Sequence, residues 1–459
     1  MVLYLYVSTD FFLHEWDERY HALVAKNLLK HPFIPTLYDH PILPYDYKNW
    51  VGNHIWVHKQ PVPLWTMAAS MYVFGINELA LRLPSILMSS LGIWLTYKIG
   101  KYFYNSKTGV LAAFLFSVNG LIIELTGGRV ATDHFDIFFL FFILLAIFFT
   151  IKYVQQKKTY YTIIVGVCVG VAILTKWFTA LIILPIWILI ITQERNFNLR
   201  NTIVQFSLLL ITISAVFLPW QIYIFHEFPQ EAAWEAEFNF RHFTEVIEGR
   251  SGPFYYFLNK IRINYGELIY LPVGWFIWKT WKEYKNKKRF ALFIWFLVPL
   301  VVFSFAKTKM QGYLLFTAPV YFLMTAEFFF ALQRKIKDLR IKWPATLILA
   351  LLIILPVRYG IERIKPFEIR DRNPSWVQSL KSLNKEPISK GVLLNYENPI
   401  EAMFYTKLTA YAKLPDEEKI RELIEQGYTV IINDNDHIPD HLANMDGVTI
   451  KKLIPADSK

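Results

Sequence analysis

Apart from Asp136, the run FDIFFLFFILLAIFFTI (135–151) carries no charge, and it is not alone. FALFIWFLVPLVVFSFA (290–306) and PATLILALLIILP (344–356) are as apolar. Crossing about 30 Å of hydrocarbon takes roughly 20 such residues in a helix. A soluble core has no room for so many long apolar runs, so this pattern restricts the chain to a polytopic membrane helix bundle. Composition agrees: 54% of residues are hydrophobic and 19% charged, against about 25% charged in soluble domains.

The spacing predicts spans at 1–13, 81–103, 109–126, 135–151, 160–175, 178–192, 203–226, 266–278, 290–306, 311–331 and 344–360. Residues 1–13 are short for a span, so the first helix is expected to be short, tilted or lacking its beginning. The loops fall into two alternating sets. One is basic: Lys98, Lys101 and Lys107, then KYVQQKK (152–158), QERNFNLR (193–200), KTWKEYKNKKR (279–289) and RKIKDLRIK (334–342). The other holds HEWDER (14–19), the long 14–80 segment, GGRVATDHFD (127–136), TKW (175–177), the acidic 227–250 segment and KTKMQGY (307–313). Basic loops face the cytoplasm, so the second set gathers on the opposite side. The net charge of +11 is thus a topology signal, and no nucleic-acid partner is expected. Cys168 is the single cysteine, which leaves no internal disulfide and no redox pair.

The organisation expected is a transmembrane domain over 1–364, with its long first outer loop 14–80, and a soluble domain over 365–459. In that tail GVLLNY (391–396) and YTVIIND (428–434) read as strands. NPIEAMFYTKL (398–408) and DEEKIRELIEQG (416–427) read as helices, the first with Asn398 as cap and Pro399 at its first position, the second stopped by Gly427. Alternating helix and strand predict a small α/β domain. With an odd number of spans and a cytoplasmic N-terminus, it lies outside the cytoplasm. No glycine-rich phosphate loop is present, so no nucleotide cofactor is expected.

Five polar clusters sit in the non-basic set. HEWDER places Asp17 and Glu18 where a hydroxyl nucleophile's proton can be accepted at the membrane surface; a helix end finishing in water explains the same charges less specifically. In NHIWVHKQPVPLW (53–65), Lys59 suits an anionic phosphate and His58 a metal or hydrogen-bonding role, between Trp56 and Trp65 and before the rigid Pro61 and Pro63. GGRVATDHFD supplies Arg129, Asp133, His134 and Asp136, more than helix capping needs. The 235–257 segment adds Glu237, Arg241, His242, Glu245, Glu248 and Arg250, which a surface-lying amphipathic helix also explains. KTKMQGY adds Lys307, Lys309 and Tyr313; cations there run against the positive-inside rule and favour anion binding. Acids, histidines and cations on one face suit group transfer from a lipid phosphate carrier: cations neutralise the leaving phosphate and a carboxylate activates the acceptor.

In chain order, the acidic pair after the first helix, HKQPVPLW, INELALRLPSIL (76–87) and GRVATDHF resemble the integral-membrane glycosyltransferases of the GT-C fold. The branch is the protein O-mannosyltransferase and lipid A aminoarabinose transferase superfamily, and the resemblance covers residues 11–320. It implies transfer of a sugar from a polyprenyl-phosphate carrier, usually with inversion, to a glycolipid, glycan or protein acceptor outside the cytoplasm. The setting implied is a bacterial inner membrane, with membrane lipids as surroundings. By motif, Asp17 matches the main catalytic acid, Lys59 the lysine contacting the lipid phosphate, and Asp133 an acidic residue near the site. Lys309 and Tyr313 match a late element near the carrier, which Arg129 and Lys307 join as candidate phosphate ligands. Where the aminoarabinose enzymes show Glu-Lys-Pro-Pro, this chain has His58-Lys59-Gln60-Pro61. A divalent metal, if used, would then fall to His58, Asp133 and His242. The competing reading is a transporter or flippase of a lipid-linked saccharide. It expects inverted repeats and polar groups at the midplane, neither of which the sequence carries.

Overall fold

The computed structural model describes residues 1–130, 133–193, 198–338, 340–388, 390–435 and 438–456, and of Asp133 the backbone alone. The chain falls into two compact units. One comprises Met1–Ser8, Lys59–Pro63 and Arg82–Glu368; the other comprises Thr9–His58, Leu64–Leu81 and Ile369–Lys459.

Among the described residues, seven helical runs are long and apolar enough to cross a membrane: Glu78–Phe103, His134–Gln156, Tyr160–Thr192, Leu199–Glu227, Lys287–Phe305, Gln311–Ile336 and Trp343–Ile364. An eighth is obtained if Ser106–Ser117 and Gly120–Thr126, bent by 55°, count as one span. Only 17% of the apolar window of Leu199–Glu227 and 22% of that of Trp343–Ile364 is buried, against 78% in Gln311–Ile336. Helices this apolar and this bare need lipid as solvent, so the chain is a multi-pass membrane protein.

The run Tyr160–Thr192 contains the break expected at TKW. Its first helix ends at Lys176, a 3-10 stretch covers Trp177–Ile182, and a second helix covers Ile183–Thr192. Lys176 pairs with Asp136 at one end of the helix Asp133–Gln156, while the Trp187 ring stacks on Tyr153 towards the other end. Those two positions lie about 25 Å apart at roughly 1.5 Å per residue, so the chain doubles back between them. Trp177, at φ 58°, starts the reversal. Of two other expected spans, the first is shorter than read and the second is shifted towards the C-terminus. At the start only Val2–Val7 is helical, and 266–278 becomes a 3-10 turn, Glu267–Ile269, followed by the helix Tyr270–Lys282.

Small residues set the closest helix contacts. A Cβ on Gly166 would meet the Thr212 Cβ at 2.6 Å, and one on Gly170 would meet the Val216 Cβ at 2.6 Å. The GxxxG spacing thus lets Tyr160–Lys176 lie directly on Leu199–Glu227, as lipid-embedded helices favour. At the basic end, Glu327 takes two parallel bonds from Arg289 (2.8 and 3.0 Å) and a third from Lys279 (2.9 Å). This joins Tyr270–Lys282, Lys287–Phe305 and Ala318–Ile336 through one buried carboxylate.

In the second unit, β1 (Gly391–Leu394), β2 (Thr409–Ala410), β3 (Thr429–Asn433) and β4 (Val448–Lys451) form an all-parallel sheet in the order β2-β1-β3-β4. β1 is buried along its whole length, as its apolar sequence requires. The expected helices appear as Pro399–Tyr405 and Glu417–Glu425. Asp416 caps the second through the Lys419 N–H (3.0 Å), and Gly427, at φ 79°, ends it. This sheet does not stand by itself, because the segment after the first helix is tied into it. The Phe11 N–H donates to the Arg372 carbonyl (2.7 Å), the Leu13 N–H to the Tyr405 hydroxyl (3.0 Å), and Arg19 to Glu401 (3.0 Å). Lys26 donates to the carbonyls of Met403, Phe404 and Thr406 (2.6–2.8 Å), closing the C-terminus of Pro399–Tyr405, where a cation is favoured. Burial pushes Lys26 down to about 8.

Candidate functional site

The acidic cluster lies in the second unit. Asp17 is the first residue of the helix Asp17–Asn27 and is half-buried. Glu18 points the other way and has no exposed surface. Its Oε2 accepts from the His14 backbone N–H (2.6 Å) and lies 2.8 Å from the ring Nδ1. The other ring nitrogen lies 3.1 Å from Asp10 Oδ2, and Arg372 reaches the second Asp10 oxygen at 3.6 Å. Glu18, expected as a second catalytic acid, is therefore placed as a clamp on the turn that presents Asp17. His14 opens the HEWDER cluster, but Asp10 lies too close to a short apolar run to be singled out by pattern, and Arg372 lies hundreds of residues away.

His58 is buried in the same unit, stacked flat on Trp50 (4.6 Å between centroids) and edge-on to Trp56 (5.5 Å). Trp56, which flanks the motif in sequence, and Trp50, which lies outside it, hold this imidazole.

The first unit holds the cations. Lys59 is half-buried, and its neighbour Gln60 accepts from Gln221 (3.0 Å), fixing the HKQP motif to Leu199–Glu227. Arg129 is half-buried, its N–H bonded to the Glu124 carbonyl (3.0 Å). The Asp133 side chain lies outside the described residues; its neighbours His134 and Asp136 carry the local network. His134 Nδ1 lies 2.9 Å from Ser85 Oγ, which donates to the Thr126 carbonyl (2.9 Å). The buried Asp136 pairs with Lys176, whose ammonium sits 5.3 Å from the centre of the Tyr313 ring. Asp136, Lys176 and Tyr313 thus meet from three separate segments. Lys176 was visible only as the middle of TKW, with nothing marking its partner.

The late loop is pinned by backbone pairing: the N–H groups of Lys307, Thr308 and Lys309 donate to the carbonyls of Phe243, His242 and Arg250. Lys307 is exposed. Lys309 is buried with its Nζ on the Ala306 carbonyl. Burial, then the neighbouring Lys307, lowers its pKa. His242 bonds back to the Phe238 carbonyl through Nδ1 (2.9 Å). Among the described residues no three of His, Cys, Asp and Glu gather to hold a metal ion. In Asp10–His14–Glu18 the two carboxylates bond opposite ring nitrogens, so the imidazole separates them and no common coordination point exists. His58 and His242 belong to different units.

In fold, membrane helices with a small parallel sheet, the chain is of the GT-C type and is similar to two solved structures. The chain matches the crystal structure of ArnT from Cupriavidus metallidurans bound to undecaprenyl phosphate with a TM-score of 0.65 at 14% identity, covering 96% of this chain and 92% of that one. It matches the archaeal oligosaccharyltransferase AglB from Archaeoglobus fulgidus, in complex with an inhibitory peptide and a dolichol-phosphate, at 0.55 and 13%, covering 90% and 63%. In sequence, residues 58–223 match the family model described as dolichyl-phosphate-mannose-protein mannosyltransferase. An undecaprenyl phosphate-alpha-4-amino-4-deoxy-L-arabinose arabinosyl transferase of Pseudomonas fluorescens is 25% identical over 58% of this chain, and one of Yersinia pestis is 27% identical over 57%. The chain spans 48% of the length of each, about half of the curated relatives it matches.

Proposed function

We propose that this chain is a membrane glycosyltransferase that moves a sugar from a polyprenyl-phosphate carrier to a glycolipid, glycan or protein acceptor. The observation that carries this is the family match over 58–223, which opens on His58-Lys59. The acceptor oxygen attacks the anomeric carbon opposite the phosphate. The carbon–oxygen bond to the phosphate breaks, the polyprenyl phosphate leaves with that electron pair, and the configuration inverts.

In this reading the first unit supplies the cations. Lys59, Arg129 and Lys307 neutralise the carrier phosphate, with Tyr313 held beside Lys176; the burial of Lys309 makes it a support for this loop. Asp17, half-buried at a helix N-terminus, takes the proton of an attacking hydroxyl. The placing proposed is a bacterial inner membrane, with the active site and α/β unit on the periplasmic side, supported by the basic loops opposite the polar clusters.

The test is transfer in proteoliposomes from undecaprenyl-phosphate-linked aminoarabinose to envelope lipids. Wild type is expected to release undecaprenyl phosphate and label an acceptor, and Asp17→Asn to lose transfer while folding normally. Movement of intact lipid-linked sugar without release of carrier phosphate would make the chain a flippase and end this reading.

A further inference from the structure

Trp16, immediately before Asp17, has φ 68° and ψ −129°. Bulky side chains avoid this backbone region, which costs on the order of 1–3 kcal/mol and persists only where the surroundings over-determine it. Here they do. Glu18 Oε2 holds both the backbone N–H and the ring of His14, so residues 14–18 close into one turn with Trp16 at its centre. The buried Asp10 holds the far side of the same ring.

The turn leaves Trp16 51% exposed, whereas Leu13 is 3% exposed and Glu18 not at all. A flat apolar indole therefore stands at the surface one residue from the carboxylate at the helix N-terminus. That pairing matches a sugar ring, whose C–H face packs on an electron-rich aromatic face while its hydroxyls bond a neighbouring carboxylate. A headgroup anchor, the other common use of tryptophan near a membrane, works at any backbone angle and explains no strain.

We propose that Trp16 is the platform on which a sugar ring of the acceptor stacks beside Asp17, so that the acceptor is a saccharide and not a protein hydroxyl. This rests on the reading of Asp17 as the base.

The full chain in lipid nanodiscs is titrated with the lipid A glucosamine disaccharide freed of its acyl chains and, separately, with a serine- and threonine-containing peptide. Wild type, Trp16→Phe, Trp16→Leu and Asp17→Asn are compared, with helix content checked for each. The disaccharide Kd is expected to rise tenfold or more in Trp16→Leu and to stay within threefold in Trp16→Phe. In transfer assays the Trp16→Leu loss falls on acceptor KM, and the Asp17→Asn loss on kcat. Wild-type binding by Trp16→Leu, binding of the peptide alone, or loss of vesicle association in place of disaccharide affinity each overturns the platform. If Asp17→Asn still transfers while Trp16→Leu has lost the disaccharide, the base reading fails and the platform stands.

Discussion

Two buried carboxylates, Glu327 and Glu18, are both fully engaged, yet they serve different ends. Glu327 joins three regular helices through Arg289 and Lys279, and the backbone around it is ordinary helix. Glu18 clamps a short turn, and the residue it surrounds, Trp16, is strained and exposed. The same chemistry holds a fold in one place and an exposed, strained indole in the other. The difference lies in where the strain is kept.

Crossed variants separate the two roles. Glu327→Ala leaves Arg289 and Lys279 with only the part-exposed Glu283 (3.2 and 3.9 Å) to pair with among the described residues, a loss of up to about 3–5 kcal/mol. The expected result is a marked drop in thermal midpoint in detergent, with activity per folded molecule unchanged. Asp17→Asn should do the opposite: transfer falls by roughly 10²–10⁴ and the midpoint stays put. A Glu327→Ala protein of normal stability, or an Asp17→Asn protein that melts early, breaks the comparison.

Gly170→Leu sharpens the packing side of the contrast. Its side chain enters the 2.6 Å gap to Val216, and overpacking of this kind costs about 1–3 kcal/mol or more. Reduced yield of folded protein in the membrane is the readout. Lys26→Met, which strips three carbonyls of their shared donor, is expected to cost about 1–3 kcal/mol. Faster proteolysis of the α/β unit would report it.

The smallest effect belongs to Asp39. Burial alone would raise its pKa, but Lys30, His40 and His31 hold it below its ordinary value. A carboxylate lowered on folding contributes stability that is complete above its unfolded value near 4 and is lost as the pH falls through the folded one. Asp39→Asn should flatten that acid limb, seen by unfolding between neutral pH and pH 3, and cost under about 1 kcal/mol at pH 7.

Much of the architecture was legible in the residue order, because lipid demands long apolar runs and a parallel sheet demands apolar strands between polar turns. The break at TKW, the strand starting at Gly391 and the helix started by Asp416 all followed from such local rules. The expected site residues could be read as polar clusters, but not by what each one touches. Glu18 beside Asp17 and Lys309 beside Lys307 look equivalent in a string. Burial alone separates the fully buried clamp from the half-buried acid, and the buried lysine from the open one.

The residue order by itself determined the membrane-spanning class, the helix and strand positions and the pool of acids and cations, since these depend on hydropathy and short-range geometry. Tertiary structure decided which groups meet: Asp136 with Lys176 and Tyr313, Asp10 with His14 and Arg372, and the first loop with the C-terminal sheet. Such pairings depend on how distant segments pack, and no local propensity encodes them.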